Sequence, residues 1–231
     1  MTDFDAIAVG RRVLTAEADA LKMQADTLGE AFVRAVDILF AAKGRIICTG
    51  IGKSGHVAKK IAATFASTGA PAFFVHANEA SHGDLGMIAD GDVILALSKS
   101  GQNQELADIL AYSRRFHIPL IALTAAPDSP LGQAADVVLQ LADAAEVTAE
   151  VKAPTTSTTL QIALGDALAV SLLERRGFTA KDFKTFHPGG KLGAMLRTVG
   201  DLMHGRDELP LVSQDTPMTE ALLVMTSKAF G

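Results

Sequence analysis

Five short apolar runs alternate with helix-like stretches in the middle of the chain. The runs are residues 45–49, 72–75, 93–97, 120–123 and 137–141. Fully apolar strands separated by helices are typical of a parallel sheet that is covered on both faces. Connections between parallel strands are almost always right-handed, so the helices divide between the two faces. The sequence therefore predicts an α/β fold, a three-layer αβα sandwich around a five-stranded parallel sheet.

The helices are indicated by apolar residues that recur at helical spacing. Residues 4–42 contain no proline and predict one long helix or a pair meeting near Gly29. Residues 57–67 and 105–116 have helical periodicity between strands. Residues 155–176 begin on a run of Ser and Thr, which favours a helix start.

The character of the chain changes after Leu196, where a new pattern of apolar residues begins. We therefore expect residues 1–197 to form the main domain with its N-terminal helical extension. Residues 198–231 look like the opening of a second, small unit. The sequence stops at Gly231 within a helical pattern, and we interpret this unit as incomplete.

Composition excludes several classes of function. The net charge is −5 and there is no dense basic cluster, which argues against binding to nucleic acid. No apolar run reaches the roughly 18 residues of a membrane span, and the acidic start is unlike a signal peptide. The single cysteine, Cys48, is predicted to be a buried strand thiol. We expect a cytoplasmic protein without a membrane partner.

A glycine-rich loop, G-I-G-K-S-G at residues 50–55, directly follows the first strand. Glycines allow a tight turn, and the helix that follows offers free N–H groups to a phosphate or another anion. A P-loop fails because its first glycine position is Ile47. The spacing also fits the dinucleotide fingerprint, but its acidic residue would have to be the late Glu79. A tight turn without a ligand is the third interpretation.

A second loop, S-K-S-G-Q-N-Q-E at residues 98–105, follows the third strand. Ser98 and Ser100 can donate hydrogen bonds to phosphate oxygens, and another helix begins behind them. Ligands of open parallel sheets bind at the carboxyl ends of the strands, near the point where strand order reverses. The two loops together predict one site for a phosphomonoester.

In these two loops the chain resembles the arabinose 5-phosphate isomerase family of SIS (sugar isomerase) proteins. The resemblance runs from Arg45 to Gly193. Its further motifs are residues 79–87 (EASHGDLGM), 153–159 (APTTSTT), 165–169 (GDALA), 176–183 (RGFTAKDF) and 187–193 (HPGGKLG). In that family two CBS modules follow, and residues 199–231 resemble the start of the first.

The resemblance implies an aldose–ketose isomerase that works through an enediol, without a cofactor. The implied catalytic residues are Lys53, Glu105, Glu146 and His187. Lys53 would stabilise negative charge, and Glu146 would be the base, its pKa raised by partial burial. His187 would serve ring opening from a neighbouring subunit, and the assembly that the resemblance implies is a homotetramer. Plain alternatives are a solvated lysine for Lys53 and a first-turn carboxylate for Glu105.

Further positions are implied to contact the phosphosugar substrate. They are Gly52, Ser54, Gly69, Ala70, His76, His82, Ser98, Ser100, Gly101 and Thr155. His82 is also a candidate ligand for an inhibitory metal in this family, although an isolated histidine is usually no metal site. For His76 an ordinary surface loop is an equal alternative.

Residues 147–152 depart from the family pattern, because Glu150 and Lys152 appear and an internal proline is missing. The change predicts either an altered substrate preference or transfer of the base role to Glu150. Other SIS-fold proteins share the phosphate loops, so the alternatives are an isomerase of another phosphosugar, a SIS-fold lyase or ether hydrolase, and a sugar-phosphate-sensing regulator without catalysis. The resemblance implies arabinose 5-phosphate and a supply of Kdo (an eight-carbon sugar) for lipopolysaccharide.

Overall fold

The structure is a computed structural model that describes residues 4–148, 150–187, 195 and 198–229. It divides into two compact units, Met1–Phe183 and Lys184–Gly231. The first unit ends earlier than the domain boundary that we expected after residue 197. That boundary and the CBS assignment of the C-terminal segment stay predictions.

Five parallel strands form one sheet in the first unit. They are β1 (Ile46–Gly50), β2 (Ala72–Phe74), β3 (Val93–Leu97), β4 (Leu120–Thr124) and β5 (Val137–Gln140). Their order in the sheet is β2-β1-β3-β4-β5, and all neighbours pair in parallel. The predicted fold class is confirmed, and strand order reverses between β1 and β3, where such sheets bind ligands.

The helices of the first unit follow the predicted periodicity. They are α1 (Ala6–Asp26), α2 (Glu30–Ala41), α3 (Gly52–Ser67), α4 (Ala77–Ala80), α5 (Ala107–Phe116), α6 (Pro130–Ala134) and α7 (Thr156–Arg175). Short 3₁₀ turns lie at Asp84–Met87 and Gln104–Leu106. The N-terminal stretch is a pair of helices, with Gly29 directly before the second. Helix α3 begins earlier than predicted, because the glycine loop itself forms its first turn.

Among residues 180–187 and 198–229 the structure describes three more helices. They are α8 (Ala180–Phe186), α9 (Val199–Leu202) and α10 (Met218–Ser227). The apolar side chains described in α9 and α10, such as Leu202 and Leu223, are largely exposed. None of the residues described in the second unit is fully buried.

The sheet is covered on both faces, which makes the three layers. Alternate strand residues such as Cys48 and Leu95 pack against α1, α2, α3 and α7 on one face. The residues between them, such as Ile47 and Ile94, pack against α4, α5 and α6 on the other. Cys48 is fully buried, as predicted, and burial raises the pKa of its thiol.

The outer edge of β5 is covered by a side chain of α1. Gln24 is 5% exposed, and its Nε2 donates to the Gln140 carbonyl oxygen at 3.1 Å. Its Oε1 accepts from the Ala142 N–H at 2.8 Å. The side-chain amide thus pairs with the strand edge as a neighbouring backbone would, which protects an edge that would otherwise be open to pairing.

We expect Gln24→Leu to lower the free energy of unfolding by about 2 kcal/mol, because it leaves a buried N–H and a carbonyl without partners. Urea denaturation of the purified chain measures the change. Gln133→Leu is the matched control, because Gln133 is exposed. Equal stability of the two variants would contradict a role for Gln24 at the sheet edge.

Candidate active site

The two loops lie side by side at the carboxyl edge of the sheet. Gly50, the last residue of β1, is in register with Leu97, the last residue of β3. The residues that follow, Ile51 and Ser98, therefore begin adjacent loops at the strand-order reversal. This is the position where open α/β sheets bind their ligands.

The first loop turns directly into α3. Gly52 has φ +56°, a left-handed conformation that favours glycine. Gly55 lies so close to the first strand that a Cβ there would sit 2.7 Å from the Gly50 carbonyl oxygen. Lys53 is exposed and Ser54 half-buried in the first helical turn, where backbone N–H groups have no intrahelical acceptor. This turn can receive an anion.

The second loop uses one of its serines for its own structure. The buried Ser98 hydroxyl donates to Asn103 Oδ1 at 2.6 Å and accepts from the Gly101 N–H at 3.0 Å. In this arrangement Asn103 takes the Ser98 proton, so a hydrogen bond from Ser98 to a ligand stays a prediction. Ser100 is exposed and accepts from the Gln102 N–H at 3.3 Å. Its own proton finds no acceptor among residues 4–148 and 150–187, so Ser100 is the better donor.

Gly101 fits the second loop against the start of α6. Its φ is +65°, and a Cβ at this position would overlap Ser129 Oγ. Its carbonyl oxygen accepts from the Leu131 N–H at 3.2 Å. The shape of the loop therefore depends on glycine here.

Glu146 is held by a dense set of donors at the amino end of α7, and its side chain is 6% exposed. Oε1 accepts from Lys99 Nζ at 2.7 Å and from Ser157 Oγ at 2.5 Å. Oε2 accepts from the N–H groups of Thr155 at 2.8 Å and Ser157 at 3.3 Å, and from Thr155 Oγ1 at 3.3 Å. The carboxylate satisfies N–H groups that have no partner within the helix.

These donors decide the ionisation of Glu146. Burial pushes its pKa upward, but hydrogen bonds from Lys99, Ser157 and Thr155 outweigh burial and lower the pKa to about 2. The predicted upward shift is wrong, because the sequence did not show these donors. Glu146 is ionised at neutral pH, and in this arrangement it is a weak base.

The remaining candidates of this edge are more open. Glu105 is exposed in the turn before α5, and His82 is exposed just after α4. His76 follows β2, and its Nδ1 accepts from the Asn78 N–H at 3.2 Å. A cavity of about 130 Å³ connects His76 with the first loop. It is lined by Gly52, Gly55, His56, Lys59, Phe74 and His76.

Two predicted residues lie apart from these loops. Gly69 and Ala70 precede β2 and so lie at the amino edge of the sheet, opposite the loops. A single chain does not bring them to the predicted phosphate site. His187 follows α8, its N–H donating to the Lys184 carbonyl oxygen at 3.1 Å, and belongs to the second unit. The rest of its motif, residues 188–193, lies outside the described residues.

Within the part of the chain that the structure describes, no group of three or more His, Cys, Asp or Glu is placed to hold a metal ion. Metal binding at His82 stays a prediction. Among the same residues, one helix, α7, is long and apolar enough to cross a membrane by length and composition. Half of its most apolar window is buried in the core.

Sequence reasoning missed Lys99, Asn103 and Ser157. Lys99 and Asn103 belong to the serine loop, and Ser157 to the Ser/Thr run at the start of α7. Each forms a hydrogen bond that shapes the site. The position of Lys99 between two candidate phosphate ligands is a signal that could have identified it.

Comparisons with known proteins agree with this geometry. Residues 38–171 match the model of the SIS domain family. Arabinose 5-phosphate isomerase KdsD of Pseudomonas aeruginosa is 50% identical over 230 residues, which cover 99% of this chain and 71% of that protein. The Escherichia coli K12 protein of the same name is 45% identical over 229 residues, covering 99% and 70%.

A solved structure from E. coli CFT073, in complex with arabinose 5-phosphate, superposes with a TM-score of 0.77 at 36% identity. The match covers 81% of this chain and 100% of that one. High identity along nearly the whole chain, together with the SIS match and the loops at the sheet edge, confirms the resemblance. The chain belongs to the arabinose 5-phosphate isomerase family of SIS-domain proteins.

Proposed function

We propose that this protein interconverts D-arabinose 5-phosphate and D-ribulose 5-phosphate through an enediol. The observation that carries the proposal is the 50% identity to an isomerase of that name over 99% of the chain. Two anion-binding loops at the strand-order reversal support it, because they suit the phosphate group of such a sugar.

In this proposal the phosphate lies between the first turn of α3 and the serine loop. Backbone N–H groups around Gly52 and the Ser100 hydroxyl donate to its oxygens. Lys53, exposed beside them, stabilises the negative charge that develops on the enediolate. Binding needs no broad basic surface, which fits the net charge of −5.

Proton transfer is assigned to three residues. Glu146 takes a proton from C1 of ribulose 5-phosphate, and the enediol is then protonated at C2 to give the aldose. Glu105 moves protons at the two oxygens. His187, supplied by a neighbouring subunit, opens the sugar ring, and Gly69 and Ala70 would join the site in the same assembly. The assembly that we propose is a cytoplasmic homotetramer, and its product would supply Kdo for lipopolysaccharide.

A second candidate is an isomerase of another phosphosugar. It is favoured by the departure at residues 147–152, because Thr148 and Lys152 line a cleft of about 510 Å³ together with Glu146. Lys152 has φ +48°, unusual for a residue with a side chain, so this cleft wall has its own shape.

The test is incubation with ribulose 5-phosphate in deuterium oxide, followed by NMR. We expect arabinose 5-phosphate with deuterium at C2, as an enediol and a base require. A panel of pentose and hexose phosphates decides between the two isomerase candidates by the ratio of kcat/KM. Tight binding without turnover of any sugar would contradict both and favour a sensing role.

A further inference from the structure

Lys99 forms an ion pair with Glu146 in which the lysine is much more exposed than the carboxylate. Its Nζ donates to Glu146 Oε1 at 2.7 Å, and its side chain is 45% exposed, against 6% for Glu146. The carboxylate is fixed by its contacts with Ser157 and Thr155, whereas the ammonium group remains open to solvent. The lysine is therefore the partner that can leave.

The backbone of Lys99 is fixed even though its head group is open. Its carbonyl oxygen accepts from the Ala125 N–H at 2.9 Å and from Thr124 Oγ1 at 3.1 Å, at the end of the neighbouring strand β4. Ser98 and Ser100 flank it in the serine loop. The backbone of Lys99 is therefore held beside the proposed phosphate position, and its long side chain can change partners without a movement of the loop.

Lys99 and Glu146 also line the same cleft of about 510 Å³. The other ionisable groups on its wall are Asp143 and Lys152. The cleft wall thus carries two lysines and two carboxylates. A phosphate dianion that enters the cleft is attracted by the two lysines. A phosphate group with a charge near −2 competes strongly with a single carboxylate for an ammonium group.

We propose that Lys99 breaks its ion pair with Glu146 and binds the phosphate group of the substrate instead. The inference rests on the proposed function and deepens it. While Lys99 is paired, Glu146 is a weak base. When the phosphate takes Lys99, Glu146 loses its positively charged hydrogen-bond donor but stays in place through Thr155 and Ser157. The exchange therefore makes Glu146 more basic only when a phosphorylated ligand is bound, and Lys99 links substrate binding to catalysis.

The first test measures binding of inorganic phosphate by calorimetry, which does not depend on turnover. We expect Lys99→Ala to weaken phosphate binding about tenfold, the effect of one charge-assisted hydrogen bond. Lys99→Arg should stay within about threefold of wild type, since it keeps the charge. Lys60→Ala is the matched control, because Lys60 is also about half exposed (46%) and also forms an ion pair, with Asp166. This pair joins α3 to α7 and lies outside the serine loop. The control variant should bind phosphate as wild type does.

Unchanged phosphate affinity in a folded Lys99→Ala protein would overturn the inference. Thermal unfolding checks the fold of each variant, and Lys99→Gln gives the same comparison if the alanine variant does not fold. This outcome leaves the isomerase proposal intact. Conversely, a wild-type protein that binds phosphate through Lys99 but converts no sugar phosphate would contradict the proposed function and not this contact.

The second test follows Glu146 itself, by NMR of ¹³C-labelled glutamate carboxyls assigned with Glu146→Gln. Phosphate should raise the titration midpoint of Glu146 in wild type. In Lys99→Ala the midpoint should already be raised, and phosphate should change it little. An equal response to phosphate in the two proteins would show that Lys99 does not exchange partners.

Discussion

Glu146→Gln is expected to lower kcat for ribulose 5-phosphate by about 10²- to 10⁴-fold, the usual contribution of a general base. The amide keeps the shape of the side chain, and its oxygen can still accept from Thr155 or Ser157. It cannot take a proton from C1. Steady-state kinetics at neutral pH should therefore show the loss mainly in kcat, with a smaller change in KM.

Glu174→Gln is the control, because Glu174 is an exposed carboxylate in the last turn of α7. It should have wild-type kinetics. If Glu146→Gln also kept kcat within about threefold of wild type, the base would have to be another residue of this edge. Glu105 and the exposed Glu150 would then be the next to replace.

The lowered pKa of Glu146 also predicts how the stability of the fold depends on pH. The pKa of Glu146 is lowered from 4.5 to about 2 in the folded protein. Its ionised form therefore stabilises the fold above pH 4.5, and this contribution disappears as the pH falls towards 2. A shift of this size corresponds to at most about 3 kcal/mol of stability, because solvent at the exposed Lys99 screens part of the interaction. Denaturation measured between these pH values should show a steeper loss of stability in wild type than in Glu146→Gln.

Gly101→Ala is expected to lower the free energy of unfolding by about 3 kcal/mol, which is about 6–12 °C in Tm for a chain of this size. The left-handed backbone, φ +65°, costs about 1 kcal/mol or more for a residue with a Cβ. The added carbon would also overlap Ser129 Oγ and lie 3.2 Å from Thr124 Oγ1, so the loop must move. Because the loop carries Ser100 and Lys99, affinity for inorganic phosphate should fall as well.

Gly10→Ala is the control for Gly101→Ala, because it makes the same substitution at a glycine whose position can accept a Cβ. Gly10 lies within α1, and a Cβ there meets no atom within 4 Å. The substitution should stabilise the helix by about 0.5–1 kcal/mol. Thermal unfolding and phosphate calorimetry on the two variants give the comparison. A Gly101→Ala protein with wild-type melting and phosphate binding would mean that the loop adjusts without cost.

The sequence by itself determined the layers of the fold and the place of the ligand site. The strand predicted at residues 93–97 is observed at Val93–Leu97, and the other four strands differ from prediction only at their ends. This is possible because apolar runs and helical periodicity are local properties that follow from burial. The two loops could be placed together because parallel strands all end at the same edge.

Only the tertiary structure decided what several site residues do. Glu146 was predicted to be a carboxylate with a raised pKa, and Lys99, from a loop 47 residues earlier, is one of the donors that lower it. Ser98 was predicted to donate to a ligand, and Asn103 takes its proton.

Gly69 and Ala70 were predicted to contact the substrate, yet they lie at the opposite edge from the phosphate loops. In each of these cases the residue type was readable from the sequence. Its role depended on which atoms folding brought within about 3 Å, and hydrogen bonds and charges act only over such short distances.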